Sequence, residues 1–121
     1  MRKILSALAA ASFVAVLAAP AFAATSVKGE VIDTVCYGKM GAKATGAKHA
    51  ACALKCAKAG HVMAILTSDG TVYDITGKYA AHKNKALLRY VAKKVSAEGT
   101  VSEANGKKSI DVAKMMVEKG M

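Results

Sequence analysis

The chain has no tryptophan, a single proline and only two phenylalanines. Pro20, Phe13 and Phe22 all fall within its first 22 residues. From Ala24 onward the aromatic content is four tyrosines, Tyr37, Tyr73, Tyr79 and Tyr90. A core without Phe or Trp has to rest on Val, Ile, Leu, Met and Ala. Such a core is light, and a small domain of this kind gains from a bond or ion that ties its segments together. Arginine is also scarce. Beyond Arg2 only Arg89 is present, against fifteen lysines in residues 24–121. Contact with nucleic acid favours arginine forks and stacking rings, so a Lys-rich, ring-poor chain excludes it as a partner. There is no nucleotide-binding glycine loop and no Ser/His/Asp pattern. The carboxylates Asp33 and Asp74 stand isolated, so nothing in the sequence points to catalysis.

Long apolar runs are scarce as well. The one present opens the chain. Arg2 and Lys3 supply positive charge, Ile4 to Ala19 carry none, and Pro20 precedes the small-residue pattern Ala21-Phe22-Ala23. This is the layout of a secretory signal peptide over Met1 to about Ala23, with a working chain from Ala24 to Met121. The run is Ala-rich and broken by Pro20, short of the roughly 20 strongly apolar residues of a membrane anchor. No second run of that kind follows, so the expectation is a soluble periplasmic or secreted protein without a transmembrane anchor after cleavage. In residues 24–121 sixteen basic residues face eight acidic ones, a net charge of +8. Weak attraction to anionic lipid, or to an acidic exported or membrane protein, fits that charge.

One domain of alternating strands accounts for the remainder. Val27 to Val35 alternates as a first strand with Val27, Val31 and Val35 on one side. Gly38 to Lys48, rich in Gly, Ala and Lys, has no periodicity and reads as a flexible loop. His49 to Ala59 favours a short helix stopped by Gly60. His61–Thr67 and Thr71–Ile75 form a hairpin about Ser68-Asp69-Gly70. Asn84 is a candidate N-cap for a helix to about Lys93 with Leu87, Leu88 and Val91 buried. Val95–Val101 and Ser109–Val117 flank Asn105-Gly106, a type I′ turn signal. Gly99 inside the fourth strand suits a sharp bend. Met115 and Met116 are adjacent on the last strand and must face opposite sides. The order is β-β-β-α-β-β with an insertion between the first two strands. That is the plan of a five-stranded OB-like barrel, an all-β class with added helices. On this order, and on the closing stretch KKVSAEGTVSEANGKKSIDVAKM, the chain resembles small exported bacterial OB-fold proteins. Some relatives by architecture handle metals in the periplasm.

The three cysteines crowd into the insertion, CYGKMGAKATGAKHAACALKC. His49, Cys52 and Cys56 stand at i, i+3 and i+7, one face of a helix. Cys36 ends the first strand, and the loop can bring it to that face. Cys36, His49, Cys52 and Cys56 then compose a Cys₃His set, the make-up of a closed tetrahedral Zn²⁺ site. Soft thiolates also suit Cu⁺. Export brings a rival, a disulfide from Cys36 to Cys52 or Cys56. Cys52 and Cys56 are poor partners inside one helix. Either bond leaves an odd thiol that needs a role. Thiol redox chemistry is a third reading. Covalent haem is not, because the C-x-x-C-H string is missing. His61, at the end of the inserted helix, could be an extra ligand but reads first as a solvent-facing side chain, and His82 reads as surface. Met40 is a possible soft ligand, Met63 a core residue, and Tyr37 a cover for the site.

Overall fold

The computed structural model describes residues 23–118. The expected signal peptide lies outside the described residues, except that Ala23 is the first residue of β1. Strand β1 (Ala23–Asp33) is long enough to serve two neighbours. Its first part, Ala23 to Glu30, pairs antiparallel with β4 (Lys94–Ala104). Its last part, Glu30 to Asp33, pairs antiparallel with β2 (Met63–Leu66). Strand β2 continues to β3 (Val72–Thr76), β3 runs parallel to β5 (Lys107–Val117), and β5 pairs antiparallel with β4. The order β1-β2-β3-β5-β4 closes on itself, so the sheet is a five-stranded ring. Closure removes the unpaired strand edges that an open sheet would present.

Alternation in the strands sends one set of side chains inside. Val27, Val31, Ile65, Ile75, Val95, Ala97, Ile110 and Val112 are buried together with Leu87 and Met63. The expected aliphatic core is present, with one ring added. Tyr90 is buried and donates its hydroxyl to the Met115 carbonyl at 3.2 Å. The register of β4 on β5 shifts between Glu98 and Gly99, where Glu98 faces Lys114 and Gly99 faces Val112. Ala113 is the extra residue of a bulge. A strand keeping period two from Ile110 and Val112 would turn Lys114 and Met116 inward. The bulge resets the phase, so Met115 is buried and Met116 is 49% exposed. Gly99 is required there, because a Cβ at this position would run into the Asp111 carbonyl oxygen. The Asn105-Gly106 turn has φ of 53° and 76°, the two positive values of a type I′ hairpin.

Three expectations need correction. The first strand ends at Asp33 rather than Val35, because Asp33 turns the chain into helix α1 (Thr34–Met40). Its Oδ1 accepts from the Val35 amide at 3.0 Å, and Val35 is left exposed. Residues 38–48 are not an irregular loop. After α1 come two 3₁₀ turns, Gly41–Ala44 and Ala47–His49, leading into α2 (Ala50–Lys58). Ala44 is buried, and the Gly46 amide donates to Glu30 Oε2 at 2.9 Å, which fastens this segment to β1. Asn84 does not cap a helix. It closes a one-turn element, α3 (Ala81–Asn84), in which His82, Lys83 and Asn84 all have left-handed φ. The residues after it form a 3₁₀ run, Lys85–Tyr90. Three residues per turn align Leu87 with Tyr90, so these reach the core and Leu88 is only half-buried.

Two substitutions test this packing by urea unfolding. Leu87→Ala should lower stability by about 2–5 kcal/mol through the cavity it leaves. Gly99→Ala, which adds one methyl, should cost about 1–3 kcal/mol through overpacking at the bulge.

Candidate metal centre

The insertion, residues 34–62, leaves the ring at Asp33 and returns at Met63, and these two residues are paired across β1 and β2. Thr34 strengthens the junction. Its amide and its hydroxyl both donate to the Val62 carbonyl, at 3.2 and 2.7 Å. Helix α1 therefore starts beside the point where the chain comes back from α2. Helix α2 lies on the ring through Ala53 and Ala57, both buried, one turn apart. Cys52 and Cys56 precede those alanines by one position each and share a neighbouring stripe. Small residues on the packing face allow α2 to sit close to the ring.

The end of α2 decides where His61 goes. Gly60 takes φ of 90° and donates its amide to the Ala57 carbonyl at 3.0 Å, while the His61 amide donates to the Cys56 carbonyl at 3.1 Å. This pair of bonds is the Schellman arrangement, which folds the chain back over the last helical turn. Asn84 locks it from outside. Its buried amide donates to the Ala57 carbonyl at 3.0 Å and to the His61 carbonyl at 2.8 Å. The left-handed α3 segment thus presents one side chain that holds the helix end and the His61 backbone together.

Two overlapping sets of donors result. The sulfurs of Cys36, Cys52 and Cys56 lie within 4.8 Å of one another, and all three are free thiols. Donor atoms of Asp33, Cys56 and His61 also lie within 4.8 Å of one another. Cys56 is common to both sets. Each trio has a spacing that could hold a metal ion. Among the described residues His49, the fourth member of the expected Cys₃His set, belongs to neither. It precedes α2 in a 3₁₀ turn rather than continuing the helical face, and its imidazole is buried with Nε2 unpartnered. Asp33 and His61 take the adjacent places instead. Asp33 is completely buried, and His61 Nδ1 approaches Asp33 Oδ1 at 3.8 Å. Tyr37, next in sequence to Cys36, lines a cleft of about 490 Å³ with Val62, Asp74 and Lys108, to which none of the five donors contributes.

The carboxylate sets the acid–base state of the thiols. Burial works against the charge of Asp33. The Cys36 and Cys56 thiols and the Val35 amide outweigh it and hold the carboxyl below its usual range. The same contact acts in reverse on the sulfurs. The Asp33 carboxylate facing Cys36, with burial, pushes that thiol up to about 12, and Asp33 and burial raise Cys56 as well. Without a cation these two thiols keep their protons at neutral pH. Thiol catalysis needs the opposite environment, electropositive and thiolate-stabilising.

The structural signals for the missed residues were present in the sequence in part. Gly60-His61 after a short helix is the signature of a Schellman turn, which brings the second residue back beside the helix. Nothing local marked Asp33, because its burial comes from strand pairing. No family model, no curated protein and no solved structure matches the chain.

Two measurements follow. In metal-free protein Cys52, which is exposed, should be alkylated first and Cys36 last. Peptide mapping should find the Cys36 rate still rising about tenfold per pH unit at pH 10, as a thiol with its acidity weakened to about 12 requires. Asn84→Gly keeps the left-handed backbone but removes both side-chain bonds and leaves the His61 carbonyl without that partner, and urea unfolding should report a loss of about 1–3 kcal/mol. Asn84→Ala should lose about 1 kcal/mol more, from the left-handed φ.

Proposed function

We propose that this is an exported metal-binding protein that holds one ion on Cys36, Cys52 and Cys56 and serves metal buffering or delivery in the periplasm. The observation that carries the reading is the convergence of three thiols from two separate helices to within 4.8 Å. Three thiolates suit Zn²⁺ with one further nitrogen or oxygen donor, and they suit Cu⁺ by themselves. Zn–S bonds of about 2.3 Å need only a small inward movement of the sulfurs. The leader-like start of the sequence supports export, and β1 begins at Ala23, next to the expected cleavage point. No helix among the described residues is long and apolar enough to cross a membrane.

We read the ring as an OB-like barrel. The strand order, the parallel β3–β5 contact and the helical segment between β3 and β4 all fit that plan. The thiols then sit in the connection between the first two strands, a usual binding element of such barrels.

The test is elemental analysis and thiol mapping on protein taken from a periplasmic extract. The reading expects close to one ion per chain, three cysteines shielded from alkylation until a chelator is added, and an N-terminus near Ala24. Cys52→Ser or Cys56→Ser should weaken binding by more than roughly 100-fold, beyond the loss from a supporting residue. One disulfide, one free thiol and no metal would remove it in favour of a stapled domain. Affinity should also climb with pH between 6 and 8. Cys36 and Cys56 hold their protons in the metal-free state, and each proton displaced by the ion adds up to about tenfold per pH unit.

A further inference from the structure

We propose that Asp33 supplies the fourth ligand through Oδ2, and that this carboxylate makes the site one for a divalent ion of the zinc type rather than for Cu⁺. The inference rests on the metal-binding reading and names the ion that it takes.

Asp33 has 0% exposure. Its Oδ1 is engaged by the Val35 amide, while Oδ2 is buried and has no hydrogen-bond partner. Among the described residues no lysine or arginine pairs with it, and the one basic group near it is His61, 3.8 Å from Oδ1. A buried carboxylate with a free oxygen is expensive unless a cation meets it. Three thiols beside it offer no positive charge. When they ionise they add negative charge to a place that already holds some. Donor atoms of Asp33 and Cys56 lie within 4.8 Å of each other while Asp33 stands outside the three-sulfur trio, so the sulfurs and Oδ2 must close in together for one ion to satisfy all four groups.

The other nitrogen donors fit that role less well. His61 Nδ1 is likewise without a partner, but its side chain is 39% exposed and can turn to water. Asp33 has no such outlet, because it caps α1 and ends β1. His49 belongs to neither trio of donors. A hard, charged oxygen added to three thiolates favours a borderline divalent ion with tetrahedral preference. Cu⁺ is content with soft sulfur and gains little from a carboxylate. The set of three thiolates and a carboxylate carries more negative charge than a divalent ion cancels. The surplus is set against a chain whose residues 24–121 carry +8.

Chelator competition with Zn²⁺ and with Cu⁺, on wild type and on Asp33→Asn, tests the assignment. Asparagine keeps the size of the side chain and can still accept from the Val35 amide. Zn²⁺ affinity should fall by roughly 10–100-fold or more while Cu⁺ affinity changes by less than about threefold. X-ray absorption of the zinc-loaded wild type should give three sulfurs at about 2.3 Å and one oxygen at about 2.0–2.2 Å, without the outer-shell signal of an imidazole. That spectrum decides the matter even if the variant folds poorly. An imidazole signal, an unchanged Zn²⁺ affinity in Asp33→Asn, or an equal loss of both metals would overturn the proposal. Wild type that binds neither ion would remove the metal-binding function itself, a different result from wild type that binds zinc without regard to Asp33.

Discussion

The pairing of Asp33 with Met63 is the constraint on which the insertion depends. A chain that leaves a closed ring and must come back to a neighbouring strand has both ends fixed within one backbone spacing. Thr34 tightens that junction by giving two hydrogen bonds to the Val62 carbonyl. What lies between cannot wander far, so α1 and α2 are forced to share the small space above the junction. Their cysteines meet because the ring closes, not because of any affinity between the helices. The buried faces of α2 are alanines, which gain little from burial. Polar fastenings do the rest: Glu30 to the Gly46 amide, and Asn84 to the end of α2.

The bulge at Ala113 shows the same economy in the ring. One extra residue in β5 changes which methionine is inside, bends the sheet where Gly99 permits close approach, and sets the Met115 carbonyl where Tyr90 can reach it. A core built from Val, Ile, Leu and Ala leaves few large side chains to fill corners, so strand geometry has to do the fitting. Anything that binds the folded insertion and not the unfolded chain would add to this modest stability by mass action.

Alternation and turn chemistry made most of the ring legible. Val27 and Val31, the Asn105-Gly106 turn, Gly99 and the Met115–Met116 pair could all be placed from residue type and spacing alone. The cysteine cluster was legible too, because Cys52 and Cys56 lie one turn apart and Cys36 opens the same insertion. The failures share one cause. Asp33 looked isolated because it stands between Ile32 and Thr34 at the end of a strand, yet its partners come from a strand 30 residues away. Asn84 looked like a helix cap, since its amide suits either end of a helix. Only the packing of α3 against α2 turned it into a clasp. His61 could be read as an extra ligand, but a helix end favoured the solvent-facing reading, and the backward fold of the Schellman turn is what brings its ring nitrogen to Asp33 and Cys56.

The chemistry of the cluster follows from the sign of one buried charge. A carboxylate among thiols holds their protons in place, and this disfavours the thiolate that redox exchange or nucleophilic attack would need. Thiols that stay protonated are also slow to be modified or to exchange with external disulfides. The arrangement is a poor reagent and a good cage. In the proposed reading, an ion would release the protons from sulfur and occupy the free oxygen of Asp33 at once. A proton satisfies one of these groups at a time. A divalent cation would satisfy them together, and in doing so would tie β1, α1 and α2 to a single point. The three elements that the ring closure brings near one another would then be held by a bond rather than by proximity alone.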